Sequence, residues 1–295
     1  MPGPATGLEH SQRWTFDWIE RRDAIDRCQN DGSTNGGVGM RFKRLMKETL
    51  MLSPPLWLKV RAWWRKVAGK DEAEIAVLPF LVPRDRWAID VGANKGVYTQ
   101  KLLEITGRVV AVEPNPNYVK ELSRIFGHSI QLIPAALSDT EGTAELVVPA
   151  AHGAIDASLG TIEQQNTLAI YNCKRVQVPT HCLDNLGLDN VGFIKIDVEG
   201  HEENVVKGAE QLIRRCRPIL LIEAENRHRD GSVEDIARHL EGFGYDGFFL
   251  VDGVFKSISK FDADKHQPDA AIAELRQGRP PSTPYYNNFI FIPRE

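Results

Sequence analysis

The sequence predicts an α/β protein on a doubly wound, mostly parallel sheet, preceded by an N-terminal extension. Three observations carry this expectation. From about residue 71 onward, short apolar runs of strand character alternate with amphipathic helical stretches. Those runs end in glycine, proline or acidic residues, as strands do where they turn into the next helix. The 295 residues are 42% hydrophobic and 26% charged, an ordinary makeup for a globular protein with a sizeable core. This composition excludes a mainly disordered, collagen-like or disulfide-scaffold chain. No stretch approaches the ~18 consecutive apolar residues needed to span a bilayer.

Residues 1–37 mix glycine, proline and polar residues and close on DGSTNGG, which reads as a flexible arm, with a short helix around Trp14–Arg27 as its one candidate element. Residues 38–75 form a basic amphipathic helical segment. Between 38 and 70 nine Lys/Arg stand against Glu48 alone, whereas 1–37 carry a net charge of −2 and the remainder −10. After Pro54-Pro55, Trp57, Val60, Trp64 and Val67 recur at helical spacing with basic residues beside them. Two readings stay open: a leading helix packed on the domain with a solvated basic face, or a surface helix over 41–68 touching an anionic membrane or a partner. The start, MPGPATGLEHSQRW, lacks the pattern of a secretory signal, and Cys28, Cys173, Cys182 and Cys216 form no CxxC pair or zinc-ligand spacing. A reduced, cytoplasmic protein is expected, with peripheral contact at the inner face of the membrane if the helix docks there.

Residues 76–295 are expected to form one domain. RWAIDVGANKG is a buried strand running into a glycine turn, and VYTQKLLEIT continues as a helix. RVVAVE is the second strand, NPNYVKELSRIFG a Pro-capped helix and IQLIPAAL the third strand. Residues 143–149 and 175–180 form two short strands around a loop. GFIKIDVEG is the fourth main strand, EENVVKGAEQLIRRC a helix, PILLIEAE the fifth strand and VEDIARHLEGFG a further helix. GYDGFFLVDG is a strand with a turn, and YYNNFIFIP closes the chain as a strand. In such sheets ligands bind beyond the C-terminal strand ends.

The first strand ends in Asp90-Val91-Gly92-Ala93-Asn94-Lys95-Gly96, a turn whose glycines admit close backbone approach to a ligand. Glu113 ends the second strand, 23 residues after Asp90, where an acid in this topology meets ribose hydroxyls. The alternative is a tight strand-to-helix turn with an incidental glutamate; the two elements in register favour an adenosine-type cofactor. A dinucleotide fingerprint needs glycines where Asn94 and Tyr98 stand, and a P-loop needs Ser or Thr after a G-K pair, whereas Lys95 precedes Gly96-Val97. Asp90 and Glu113 would oppose a pyrophosphate but complement a cationic amino group and a sulfonium, so S-adenosylmethionine is the expected cofactor.

With DVGANKGVYT, VEPNP, ALSD, FIKIDVEGHE and NNFIFIP in this order, the sequence resembles the FkbM family of S-adenosylmethionine-dependent methyltransferases across roughly residues 76–295. The resemblance implies a class I Rossmann-like methyltransferase fold and O-methylation of a hydroxyl on a sugar, glycan or glycosylated natural product. It implies that Asp90, Gly92, Ala93, Asn94 and Gly96 form the cofactor loop and that Glu113 binds the ribose. Ser138 and Asp139 fall where the adenine is held, and Asp197 falls near the methionine moiety. Lys95 stands where the pattern often has an aliphatic residue.

Methyl transfer to an alcohol needs alignment and a base for the hydroxyl proton. Asp197, Glu199, His201 and Glu202 concentrate ionisable groups at the fourth strand end, and Glu223, Glu225, Arg227 and His228 at the fifth. The base is expected to be His201 or Glu199, with His201 preferred because imidazole titrates near neutrality. Its alternative is a structural helix-start histidine, and Glu202 is read mainly as an acid favouring the helix dipole. Glu223, Glu225, His228 and Asn288 are the candidate substrate contacts. Asn287, Tyr285 and Tyr286 are read equally as contacts for substrate hydroxyls or as turn and packing residues, and His266 and Gln267 as weaker candidates in a loop at an exposed KHQPD stretch. Asp197, Glu199 and His201 have the residue types of a magnesium site, but the turn at Gly200 breaks the shared face, so no metal is favoured.

The acidic body speaks against a phosphate backbone as substrate, and the fourth strand end lacks the N/D-P-P-Y/F pattern of base-methylating enzymes. A small-molecule or glycan acceptor and no nucleic acid are therefore expected. A methyltransferase of amines or proteins, and a non-catalytic partner protein keeping the fold, are the alternatives; the intact Asp90, Gly92, Gly96, Glu113 and Asp197 weigh against the second.

Overall fold

The computed structural model describes residues 73–149, 173–228, 231–276 and 281–295. The expected arm, its Trp14–Arg27 helix and the basic helix over 41–68 lie outside the described residues. Helix α1 (Ala73–Leu81) leads the described part. No helix among the described residues is long and apolar enough to cross a membrane.

The frame is an alternation. Strand β1 (Trp87–Val91), helix α2 (Val97–Thr106), β2 (Val109–Val112), α3 (Pro116–Phe126) and β3 (Gln131–Ile133) make one half of the winding. The other half is β7 (Val191–Ile196), α4 (Glu202–Lys207), α5 (Glu210–Cys216), β8 (Ile219–Glu223), α6 (Ser232–Gly242), β9 (Tyr245–Val251) and β10 (Val254–Ser257). Helices α7 (Ala263–His266) and α8 (Asp269–Arg276) then lead to β11 (Asn288–Pro293). Among the described residues these strands form one sheet in the order β10-β9-β11-β8-β7-β1-β2-β3. Pairs from β3 to β8 are parallel, and β11 inserts antiparallel between β8 and β9. The sheet is therefore the doubly wound, mostly parallel one expected. Its order reverses between β1 and β7, the switch point where such folds bind ligands.

Local chemistry explains the elements. The central strand β7 is buried along its whole length, as a parallel strand covered on both faces must be. Helix α3 starts with Asn115 Oδ1 accepting from the Asn117 N–H and Pro116 in the first turn, and buries Tyr118, Leu122, Ile125 and Phe126. On one face of the sheet Ile89, Ile194, Ile196, Ile222 and Phe289 pack against Val205, Ile213 and Ile236 of α4, α5 and α6. Helix α2 covers the other face through Tyr98 and Leu102.

Three expectations need correction. The run IQLIPAAL is not one strand. Pro134 has no N–H to continue the ladder, and Ala136–Leu137 (β4) joins a second sheet, ordered β4-β6-β5, with β5 (Gly142–Pro149) and β6 (Cys173–His181). The stretch EENVVKGAEQLIRRC is two helices, α4 and α5. They part at Gly208-Ala209, where a Cβ on Gly208 would lie 2.0 Å from the Ser138 carbonyl oxygen. The KHQPD stretch is not an exposed loop. His266 ends α7 and stacks on Phe261, and the buried Gln267 side chain donates to Ala224 O and Tyr286 O and accepts from Asn226 N–H.

Candidate active site

The loop after β1 is shaped by its glycines and held by two acids. Gly92 has φ +78°, and a Cβ there would come within 1.8 Å of the Asp197 backbone oxygen. The backbone of the β1 turn thus touches that of the β7 turn, and only glycine fits the contact. Gly96, at φ +77°, caps α2, and a Cβ there would meet Phe126 and Leu122 at 2.7 and 2.8 Å. Ala93 N–H donates to Val112 O, tying the loop to β2.

Asp90 is 2% exposed and accepts a 2.5 Å hydrogen bond from Thr99 Oγ1 on α2. Burial raises its pKa to about 6 against the opposing pull of Thr99 and Lys195. Glu113 accepts from Asn94 N–H and Asn115 N–H, each at 2.7 Å, so one carboxylate clamps the loops after β1 and β2. Burial raises its pKa to about 7 despite those two donors. The described loop therefore presents a glycine-lined backbone and two buried acids, a donor set suited to a cation and to hydroxyl groups.

The end of β7 carries Asp197, half-buried, and the end of β8 carries Glu223. Lys195 lies between them, 3.6 Å from Asp197 Oδ2 and 3.7 Å from Glu223 Oε2, with Nζ 5.0 Å from the Tyr98 ring centroid. Register pairing puts Asp90 beside Lys195 and Asn288 beside Glu223. Asn287 Nδ2 donates to Glu223 at 2.6 Å. The Asn288 side-chain oxygen is buried and has no hydrogen-bond partner among the described residues.

Glu199 and His228 come together. His228 Nε2 stands 3.4 Å from Glu199 Oε2, with Arg227 Nη2 at 3.8 Å. Glu199 holds φ +55°, a left-handed conformation that turns the chain after β7. Burial raises the Glu199 pKa against the pull of His228. Glu225 accepts from Arg227 at both oxygens and from the Tyr285 hydroxyl; burial pushes its pKa up, but these partners hold it net below the ordinary value. Glu225 thus holds Arg227 and Tyr285 beside the Glu199–His228 pair.

His201 lies elsewhere. Its ring is buried with Nε2 3.0 Å from Ser138 Oγ and Asn204 Nδ2 at 3.3 Å, and Ser138 Oγ also donates to Asp139 at 3.1 Å. The structure thus places the imidazole of His201, the expected base, at the Ser138–Asp139 corner. Glu202 opens α4 and accepts from Gly200 N–H at 2.9 Å. Among the described residues no group of three or more His, Cys, Asp or Glu side chains could hold a metal ion.

Sequence reasoning passed over Thr99 and Lys195. Thr99 gives no signal in an amphipathic helix. Lys195 does: a lysine inside the apolar run of a central strand, two residues before Asp197, breaks the pattern of a strand buried on both faces.

The Methyltransferase FkbM domain profile matches residues 90–246, from Asp90 at the end of β1 to Asp246 in β9. The chain belongs to the FkbM methyltransferase family. Among curated proteins it is similar to the 2-O-methyltransferase NoeI of Sinorhizobium fredii (strain NBRC 101917 / NGR234), 26% identical over 212 residues that cover 66% of this chain and 86% of that protein. Among solved structures it is similar to a methyltransferase FkbM from Methylobacillus flagellatus KT, with 18% identity and a TM-score of 0.42, covering 59% of this chain and 42% of that one. A second is SMU.1697c from Streptococcus mutans, solved in complex with SAH, with 10% identity, a TM-score of 0.39, and coverage of 74% of this chain and 95% of that one. This FkbM-family chain is an S-adenosylmethionine-dependent methyltransferase with a class I Rossmann-like fold.

Proposed function

We propose that this methyltransferase acts on a hydroxyl of a sugar, glycan or glycosylated natural product, in a reduced, cytoplasmic setting. The observation that carries the reading is the half-buried Glu199–His228 pair standing at the same sheet edge as Asp197, Glu223 and Asn288. The similarity to a 2-O-methyltransferase supports it, as does a body of net charge −10, which favours uncharged hydroxyls over nucleic acid.

In this reading Asp90, Gly92, Ala93, Asn94, Gly96 and Asp197 hold the methionine end of the cofactor. Glu113 meets the ribose, and Ser138 and Asp139 meet the adenine, with His201 fixing the Ser138 hydroxyl. Bound S-adenosylmethionine supplies a methyl group already activated by positive sulfur. The chain's own contribution is then to orient the acceptor oxygen and take its proton. His228, backed by Glu199, accepts that proton as the new C–O bond forms. Glu223 and the Asn288 side-chain oxygen accept from neighbouring acceptor hydroxyls, which fixes the oxygen to be methylated.

Incubation with methyl-labelled S-adenosylmethionine and panels of saccharide and amine acceptors tests the reading. Label recovered as a saccharide methyl ether supports it. Label confined to amines would refute it.

A further inference from the structure

Lys195 is 1% exposed, next to last in a strand whose other side chains are apolar. A buried ammonium is costly, and an apolar side chain of the same volume would commonly serve packing as well or better. The groups facing it explain its presence. Asp90 comes from β1, Asp197 from its own strand end, Glu223 from β8, and the face of Tyr98 from α2. Three carboxylates thus share one ammonium, which itself lies over an aromatic face. The charge of Asp197 opposes ionisation of Asp90, and the Lys195 ammonium favours it.

We propose that Lys195 is a positioning residue that keeps the carboxylates at the ends of β1, β7 and β8 ionised and apart, ready for the cationic end of the cofactor. The inference rests on the S-adenosylmethionine reading and adds to it a named determinant of the site's charge. Lys195 acts through Asp90, Asp197 and Glu223, and its contribution is read in how binding depends on pH.

The test is calorimetric titration of S-adenosylmethionine into wild-type protein and Lys195→Met from pH 6 to 9. It is read as the ratio of the two affinities, in which the ligand's own titration cancels. Removing a neighbouring opposite charge raises a carboxyl pKa by about one to three units. The variant should therefore bind about tenfold or more weakly at pH 7, with the ratio closing toward pH 9. A ratio that stays flat across this range overturns the proposal while leaving the cofactor reading intact. Absence of wild-type binding at every pH overturns both. Carboxyl carbon NMR of the wild type gives a measurement that needs no variant. An Asp90 carboxyl that is ionised at pH 7 beside the ammonium supports the proposal, and one protonated there contradicts it.

Discussion

Replacing Gly92 with alanine tests the contact between the β1 and β7 turns. The new Cβ would sit 1.8 Å from the Asp197 backbone oxygen and 2.9 Å from its carbonyl carbon. Ordinary van der Waals contact starts near 3.4 Å, so the two backbones must part by about 1.6 Å (3.4 − 1.8). Backbone is on both sides, and no rotamer can absorb the displacement. Asp197 N–H also donates to Val91 O at 3.0 Å, so the separation strains the ladder where β1 and β7 diverge. The left-handed φ of +78° adds about 1–2 kcal/mol for a residue with a Cβ. A misplacement of about 1 Å at a binding constellation costs on the order of 100-fold. Gly92→Ala should therefore lose about 100-fold or more in S-adenosylmethionine affinity by calorimetry, with a lowered Tm. Gly187→Ala is the control: it has φ +64° and nothing within 4 Å of its Cβ. It should carry the conformational cost alone and bind as wild type. Binding by Gly92→Ala within threefold of this control would refute the reasoning.

Four further outcomes follow from the same geometry. Thr99→Val removes the donor to Asp90, and a hydrogen bond to a charged group is worth about 1.5–3 kcal/mol; the Asp90 pKa should rise further and cofactor affinity at pH 7 fall about tenfold, and unchanged affinity would contradict this. His228→Ala should lower kcat by about 100-fold or more with cofactor affinity kept. His201→Ala should weaken cofactor binding more than it lowers kcat, and the opposite split would return the base to His201. Asp90, Glu113 and Glu202 have pKa values raised to about 6, 7 and 7, so the folded chain keeps protons that the unfolded chain has released. Their contribution to stability is full below about pH 4 and is lost as pH rises through 6–7. The ligand-free Tm attributable to these acids should fall across that window, while the Tm gain from S-adenosylmethionine, which favours the ionised forms, should grow. A constant gain from pH 5 to 8 would count against Asp90 and Glu113 as cofactor contacts.

The winding of the sheet was legible because strand and helix periods alternate cleanly and the strand ends are marked by Asp90, Glu113, Asp197 and Glu223. Helix α2, Val97–Thr106, follows the glycine turn as its sequence predicts. What local pattern could not carry was contact between distant segments. The break at Gly208 exists because Ser138 O lies against it, seventy residues away in sequence. His201 and His228 look alike as histidines after acidic strand ends. Tertiary packing sends one to Ser138 and the other to Glu199. Lys195 stands out in the apolar run of its strand, but its role depends on carboxylates from three strands, and the sequence shows only one of them nearby. Gln267 likewise reads as a loop residue until Ala224, Asn226 and Tyr286 are seen to converge on its amide.

The central claim is that the acidic, glycine-lined edge between β1 and β7 binds S-adenosylmethionine. Calorimetric titration of the full chain with S-adenosylmethionine, S-adenosylhomocysteine and NAD tests it most directly. The account predicts micromolar binding of both adenosyl ligands and none of NAD. NAD binding, or no binding of either adenosyl ligand, would contradict it.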